Sequence, residues 1–241
     1  MTRKDAQYRV TRDSQCDWHR NIVSLRKSIE VFADLVEDMH DAEVLAQHEQ
    51  ATKCTRQEPA IITRPFEDAE VYDAIAAAIE WPFEHPSRSR YSNGAFGVWY
   101  GAASLATSVH ETVYHFRKNT LAATIAAQST VPIVQERRVH LIRCNGLLVD
   151  LRPLISKVPD LLHPDDYTAC QLMGAELKHA GMPGVLTLSA RHAGEEIVGV
   201  FTPDILTNPR TVCYLTYTLY ADSGKVIVER TPGKVEFELM P

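Results

Sequence analysis

The chain has 241 residues, 45% of them hydrophobic, which is enough to bury one sizeable core and to carry an extension. A formal net charge of -6 and a pI near 5.9 exclude a nucleic-acid-binding surface that covers the molecule. No stretch reaches the roughly 18 apolar residues that a membrane span needs, and the opening Met-Thr-Arg-Lys-Asp has no apolar segment behind it, so a cytoplasmic location is the default expectation.

From the N-terminus, Ile22, Leu25, Ile29, Phe32, Val36 and Met39 recur at intervals of three and four, which predicts a helix from about Asp17 into the forties. Its apolar stripe is expected to pack on the domain's own core. A partner face is the sharper alternative, although the stripe lasts too few heptads for a coiled coil. Residues Gln47 to Pro59 are polar and aperiodic and read as a linker. A second helix is expected from about Asp68 to Ile79, ending before Pro82. Residues 1–80 are therefore read as a helical N-terminal extension and 81–241 as the main domain.

The next stretch divides into a polar turn around Asn93-Gly94, an apolar run from Phe96 to Tyr100, and an amphipathic helix from near Ser104 to about residue 118. Arg90, Tyr100 and Glu111 fall at the boundaries of these pieces. Such positions let a cation, an aromatic ring and a carboxylate share one cleft while the residues between them anchor the backbone. Further on, Arg138 to Arg143 and Leu147 to Leu151 read as two short strands around Cys144-Asn145-Gly146. Asp150 is expected to end a strand rather than to act as a base. A helix from about Asp166 to His179 stops at Gly181. Strands then follow at Val185 to Leu188, Glu196 to Phe201, Thr211 to Tyr220, Lys225 to Arg230 and Lys234 to Leu239. Turns at Ala193-Gly194, Asp222-Ser223-Gly224 and Pro232-Gly233 join them.

Cys16, Cys54, Cys144, Cys170 and Cys213 are scattered and odd in number, which fits neither a disulfide framework nor a zinc site. They are expected to be small apolar fillers or exposed thiols. His110 and His115 lie five residues apart, a poor fit to one helix face, and no metal is expected.

Four ordered blocks of this sequence resemble the RES-domain family, the toxin half of bacterial toxin-antitoxin pairs. They are the Arg-Tyr-Ser-x-Gly segment from Arg90, the Gly-Val-Trp-Tyr-Gly-Ala strand, the Glu111-Thr112 helix, and a second half. That second half comprises Asp165-Asp166-Tyr167 with Gln171, Pro183-Gly184-Val185, Leu188-Ser189-Ala190-Arg191 and Ile197 to Phe201. The resemblance spans about residues 82 to 203. It implies an α+β fold, a compact ADP-ribosyltransferase-like domain with a β-rich core flanked by helices, and a reaction that destroys NAD+.

Within that resemblance Glu111 is the expected catalytic carboxylate, because a carboxylate facing an oxocarbenium-like ribose stabilises the transition state more than the ground state. Tyr100 is expected to offer its ring to nicotinamide. Arg90 suits a phosphate, with Arg88 as its competitor; the spacing to Tyr100 and the adjoining Tyr91 favour Arg90. Ser189 matches the family serine and is expected to bind the phosphate or orient the ribose. Arg191, two residues on along a strand, is an auxiliary ligand.

The expected function is NAD+ degradation at the nicotinamide-ribose bond, by hydrolysis or phosphorolysis, with NAD+ as substrate and no other cofactor. A protein ADP-ribosyltransferase is the alternative, and an inactive binding relative the second. The resemblance also implies an antitoxin partner of Xre type and is compatible with a homodimer; neither nucleic acid nor membrane is an expected partner.

Overall fold

The computed structural model describes residues 12–23, 76–126 and 131–241. Among these residues eight strands form one mixed sheet: β1 (Arg12–Val23), β2 (Trp99–Ala102), β3 (Ile133–Asp150), β4 (Gly184–Leu188), β5 (Glu196–Val200), β6 (Leu206–Leu219), β7 (Val226–Thr231) and β8 (Lys234–Leu239). The helices are α1 (76–84), α2 (Leu105–Ala126) and α3 (Thr168–His179). The architecture is α+β, and among the described residues no helix is long and apolar enough to cross a membrane.

The strand order is β1-β2-β5-β4-β3-β6-β7-β8, and β1 also pairs with β3. The pairings therefore run β1-β2-β5-β4-β3 and back to β1, closing a ring of five strands from which β6, β7 and β8 continue as an open wing. The closing ladder is antiparallel and twelve residues long, from Arg12 opposite Leu148 to Val23 opposite Arg137. Side chains alternate across a strand, so the ring has an interior. Trp18, Trp99, Ile142, Leu148, Leu186 and Val198 fill it as one buried cluster. Each such side chain is worth about 1.5–3 kcal/mol when withdrawn from water.

Two further clusters hold the helices. Val109, Val113 and Phe116 lie at helical spacing on α2 and pack on Val139 of β3 and on Leu215, Tyr217 and Val228 of the wing. Leu177 and Cys170 of α3 pack with Tyr91, Leu161, Val185 and Phe201. Gly174 lets α3 come close, since a Cβ there would lie 2.0 Å from the Tyr91 carbonyl oxygen.

Four sequence expectations are corrected. Residues 12–23 form a strand, so the helix expected from Asp17 does not begin there. The stripe through Ile22 was a helical signal, but the ladder to β3 supplies every residue of this segment with a cross-strand partner. The remaining positions of that stripe, the linker from Gln47 to Pro59, and Asp68 onward to residue 75 lie outside the described residues. The second correction concerns α1, which continues through Pro82 to residue 84. Proline has no N–H to give the Ala78 carbonyl, and the indole Nε1 of Trp99 donates to that carbonyl instead, at 2.8 Å. Finally, Cys144-Asn145-Gly146 is not a turn but the middle of β3, where Asn145 and Gly146 pair with Gln15 and Ser14. The helix from Ser104 also runs further than expected, to Ala126, with Leu121 extending its contact with the first cluster.

The remaining turns match their chemistry: Gly94, Gly181, Gly194, Gly224 and Gly233 all adopt positive φ. Cys144, Cys170 and Cys213 are buried and Cys16 is exposed, all as free thiols; Cys54 lies outside the described residues.

Gly174→Ala is expected to cost about 1–3 kcal/mol by overpacking α3 against the Tyr91 backbone. Urea denaturation checks this, and an unchanged midpoint would mean that the close approach is not a constraint.

Candidate functional site

A cavity of about 320 Å³ opens between the ring and α2, with Arg20, Arg88, Arg90, Tyr100, Glu111, His115 and Tyr167 in its wall. The elements reach it from separate parts of the chain. β1 brings His19, Arg20 and Asn21; the segment after α1 brings Arg88 to Arg90; β2 brings Tyr100; α2 brings Ser108, Glu111, Thr112 and His115. Among the described residues Glu111 is the one carboxylate lining the cavity, against three guanidinium groups.

Helix α2 is started by Ser104, whose Oγ accepts the Thr107 N–H at 3.1 Å, a capping bond that fixes where the helix begins. Glu111 follows less than two turns later and receives the Ser189 hydroxyl at 2.6 Å. Ser189 is 3% exposed. Its oxygen accepts the backbone N–H groups of Arg191 at 3.1 Å and His192 at 2.9 Å, so its own proton is left for the carboxylate. The turn carrying Ser189 is tied to α2 a second time. His192 bonds Thr107 at 2.9 Å and stacks on His110, with ring centroids 4.3 Å apart. Ser189 therefore sets the carboxylate's position and does not itself line the cavity.

Tyr100 is anchored at its hydroxyl, which donates to Ser89 Oγ and accepts the Tyr91 N–H, both at 3.0 Å. Burial pushes the phenol pKa up to about 12, so it stays neutral. Tyr100 lines the cavity with its hydroxyl so engaged. Arg90 is 8% exposed; its Nη1 donates to the carbonyls of His163 at 2.9 Å and Leu161 at 3.3 Å, and its guanidinium lies 4.5 Å from the Tyr167 ring centroid. Arg90 thus ties the 3₁₀ turn Pro159–Leu162 to the cavity wall while contributing its charge there. Gln171 of α3 donates to the Ser89 carbonyl at 2.8 Å and holds the same segment from behind. Arg88, the competitor, is exposed and also lines the cavity.

Arg191 stands apart from the wall. Its guanidinium covers the Tyr114 ring at 3.5 Å and bonds the Pro164 carbonyl and, at 3.3 Å, the Tyr167 hydroxyl. Asp150 ends β3, as expected, and its carboxylate bonds Arg152. Among the described residues no three His, Cys, Asp or Glu side chains gather as metal ligands do.

The sequence reading missed the β1 contribution. Arg20 Nη1 donates to the Tyr100 carbonyl at 3.1 Å, and its guanidinium sits 5.6 Å from the Trp99 ring centroid. Burial and the nearby Arg137 lower its pKa to about 10, which still leaves it charged at pH 7. Below it Asn21 joins a buried polar network, accepting Arg137 Nε at 2.7 Å and donating to the Tyr217 hydroxyl at 2.9 Å. Nothing in the sequence flagged these residues, because a helix was expected there.

His115 presents surface to solvent, yet its ring sits in the cavity wall. Burial, then the charges of Arg191 and Lys118, push its pKa down to about 4. It is expected to be neutral at pH 7 and to protonate only near pH 4. Because the unfolded ring titrates near 6.5, its contribution to stability is present at pH 7 and is lost as pH falls from about 6.5 toward 4. Ring ¹⁵N chemical shifts followed against pH check this; a midpoint near 6.5 would mean an open, solvated ring.

None of the curated proteins matches the chain. A solved structure described as the M. tuberculosis MbcT-MbcA toxin-antitoxin complex is similar at 19% identity, over 52% of this chain and 71% of that one, with a TM-score of 0.36. The family model for the RES domain matches residues 62–220, two-thirds of the sequence and every strand from β2 to β6, and the chain belongs to the RES domain family.

Proposed function

We propose that this protein is the toxin of a toxin-antitoxin pair and acts by breaking the nicotinamide-ribose bond of NAD+. The observation that carries the reading is a cationic cavity whose one lining carboxylate among the described residues, Glu111, is fixed by the Ser189 hydroxyl at 2.6 Å. Membership of the RES family supports the toxin role, and with it an antitoxin partner of Xre type.

In this reading the pyrophosphate of NAD+ is held by guanidinium groups, whose fork matches phosphate oxygens. The nicotinamide lies against the Tyr100 ring. As the C1′–N bond breaks, its electron pair goes to the ring nitrogen and neutral nicotinamide leaves. The ribose becomes oxocarbenium-like, and the Glu111 carboxylate faces the positive charge as it develops. A lone pair from water or inorganic phosphate then forms the new bond to C1′. With water, the extra proton passes to solvent, leaving ADP-ribose. Ser189 acts as a positioning residue, since it keeps Glu111 from rotating away without touching the ribose.

Glu111→Gln is expected to lower nicotinamide release by about 10²–10³-fold, the range found when one preorganised electrostatic partner is removed. Ser189→Ala should cost less, on the order of 10-fold to 10²-fold in kcat with KM for NAD+ little changed, because it frees the carboxylate without touching the substrate's binding groups. Chromatography of free nicotinamide, with and without phosphate, measures both. Label from NAD+ found on protein rather than in small molecules would move the assignment to protein ADP-ribosylation. Undiminished release by a folded Glu111→Gln protein would refute the carboxylate's role.

A further inference from the structure

We infer that Arg20, on a strand outside the segment matched by the family model, is a second anion-binding residue of the cavity and takes an oxygen of a phosphate group. The inference rests on reading the cavity as a phosphate-bearing ligand's site. It adds a residue that neither the four sequence blocks nor the matched segment contains, since β1 ends at Val23 and the match begins at residue 62.

The observations converge on one guanidinium. Arg20 lines the cavity beside Tyr100 and Glu111. Its Nη1 has a partner, the Tyr100 carbonyl at 3.1 Å, but its buried Nε has none among the described residues. A buried N–H without an acceptor is costly, and native structures seldom leave one unless something else occupies the place. Its charge is also uncompensated: among the described residues no carboxylate lies within ion-pair distance of Arg20. Arg137, the neighbour that acts on it most, is itself a buried cation, held by the neutral side chains of Asn21 and Gln135 at 2.7 Å each. Two buried like charges with neutral partners create a positive potential that an anion in the cavity relieves. Guanidinium geometry favours an oxyanion presenting two oxygens over a halide or a single carbonyl.

A purely architectural role is the competing account, because the bond to the Tyr100 carbonyl and the stacking on Trp99 both brace β1 against β2. The two accounts differ in which ligands notice the residue. An anion ligand feels the charge. A neutral ligand in the same cavity feels only a distorted wall.

The test is calorimetric titration of the full-length protein, wild type, Arg20→Gln and Arg20→Lys, with ADP-ribose, inorganic phosphate and adenosine. Each variant's thermal unfolding serves as its folding control. The expected result is that Arg20→Gln weakens ADP-ribose binding about 10-fold or more while adenosine binding stays within about 2-fold, and that Arg20→Lys recovers part of the loss. A loss confined to ADP-ribose assigns the oxygen to the dinucleotide's pyrophosphate. A loss confined to inorganic phosphate assigns it to a free phosphate. Equal weakening for adenosine and ADP-ribose, unchanged binding of both anions, or a wild type that binds neither anion would overturn the inference. Should Arg20→Gln fail to fold, the same ligand comparison on Arg20→Lys decides, with a loss of about 3-fold expected for the anions alone when a fork becomes a point charge. These readouts involve no turnover, so a protein that binds ADP-ribose through Arg20 yet leaves NAD+ intact would refute the proposed reaction and leave this inference standing.

Discussion

The ladder between β1 and β3 is the constraint on which the rest of the structure depends. Twelve consecutive pairs tie a segment near the start of the chain to an 18-residue strand in its middle and close the five-stranded ring. Without it, β2 and β3 would each present an open edge, and the interior around Trp18 and Trp99 would lose one wall. The same ladder fixes the depth of Asn21 and Arg20, because register on a strand determines which face each side chain takes. A fold-building contact and a site-building contact are therefore one and the same.

Electrostatics give that geometry its chemical character. The protein as a whole is acidic, yet among the described residues the cavity collects three guanidinium groups around one carboxylate, with a fourth guanidinium, Arg137, buried close to Arg20. Burial strengthens the charges of Arg90 and Arg137 by removing water, and it holds the Tyr100 phenol and the His115 ring neutral beside them. The carboxylate is kept in place by a serine whose oxygen is already saturated by two backbone N–H groups. Preorganisation of this kind lowers a barrier without any reorganisation at the moment of reaction.

Much of this was legible in the sequence where local chemistry and side-chain pattern agree. The Ser104 cap, the glycine turns and the alternating C-terminal strands announced their elements, and Arg90, Tyr100 and Glu111, singled out by their spacing, all line one cavity. Ser189 was singled out by the family resemblance but not as a partner of Glu111, because a hydrogen bond across 78 positions leaves no local trace. The failures share a cause. Residues 12–23, Pro82 and Asn145-Gly146 were assigned from local signals, whereas the long ladder to β3 and the Trp99 indole, both distant in sequence, decided their structure. Arg20 was invisible for the same reason, since it becomes a cavity residue only once its strand has paired.

The central claim is that Glu111 faces the anomeric carbon of a dinucleotide whose phosphates lie on the cavity's guanidinium groups. A crystal structure of the Glu111→Gln protein with NAD+ tests it most directly. The account predicts the nicotinamide ribose beside residue 111, the nicotinamide against the Tyr100 ring, and the pyrophosphate within hydrogen-bond reach of arginine. A dinucleotide bound elsewhere, or one that enters this cavity with its adenosine end against residue 111, would contradict it.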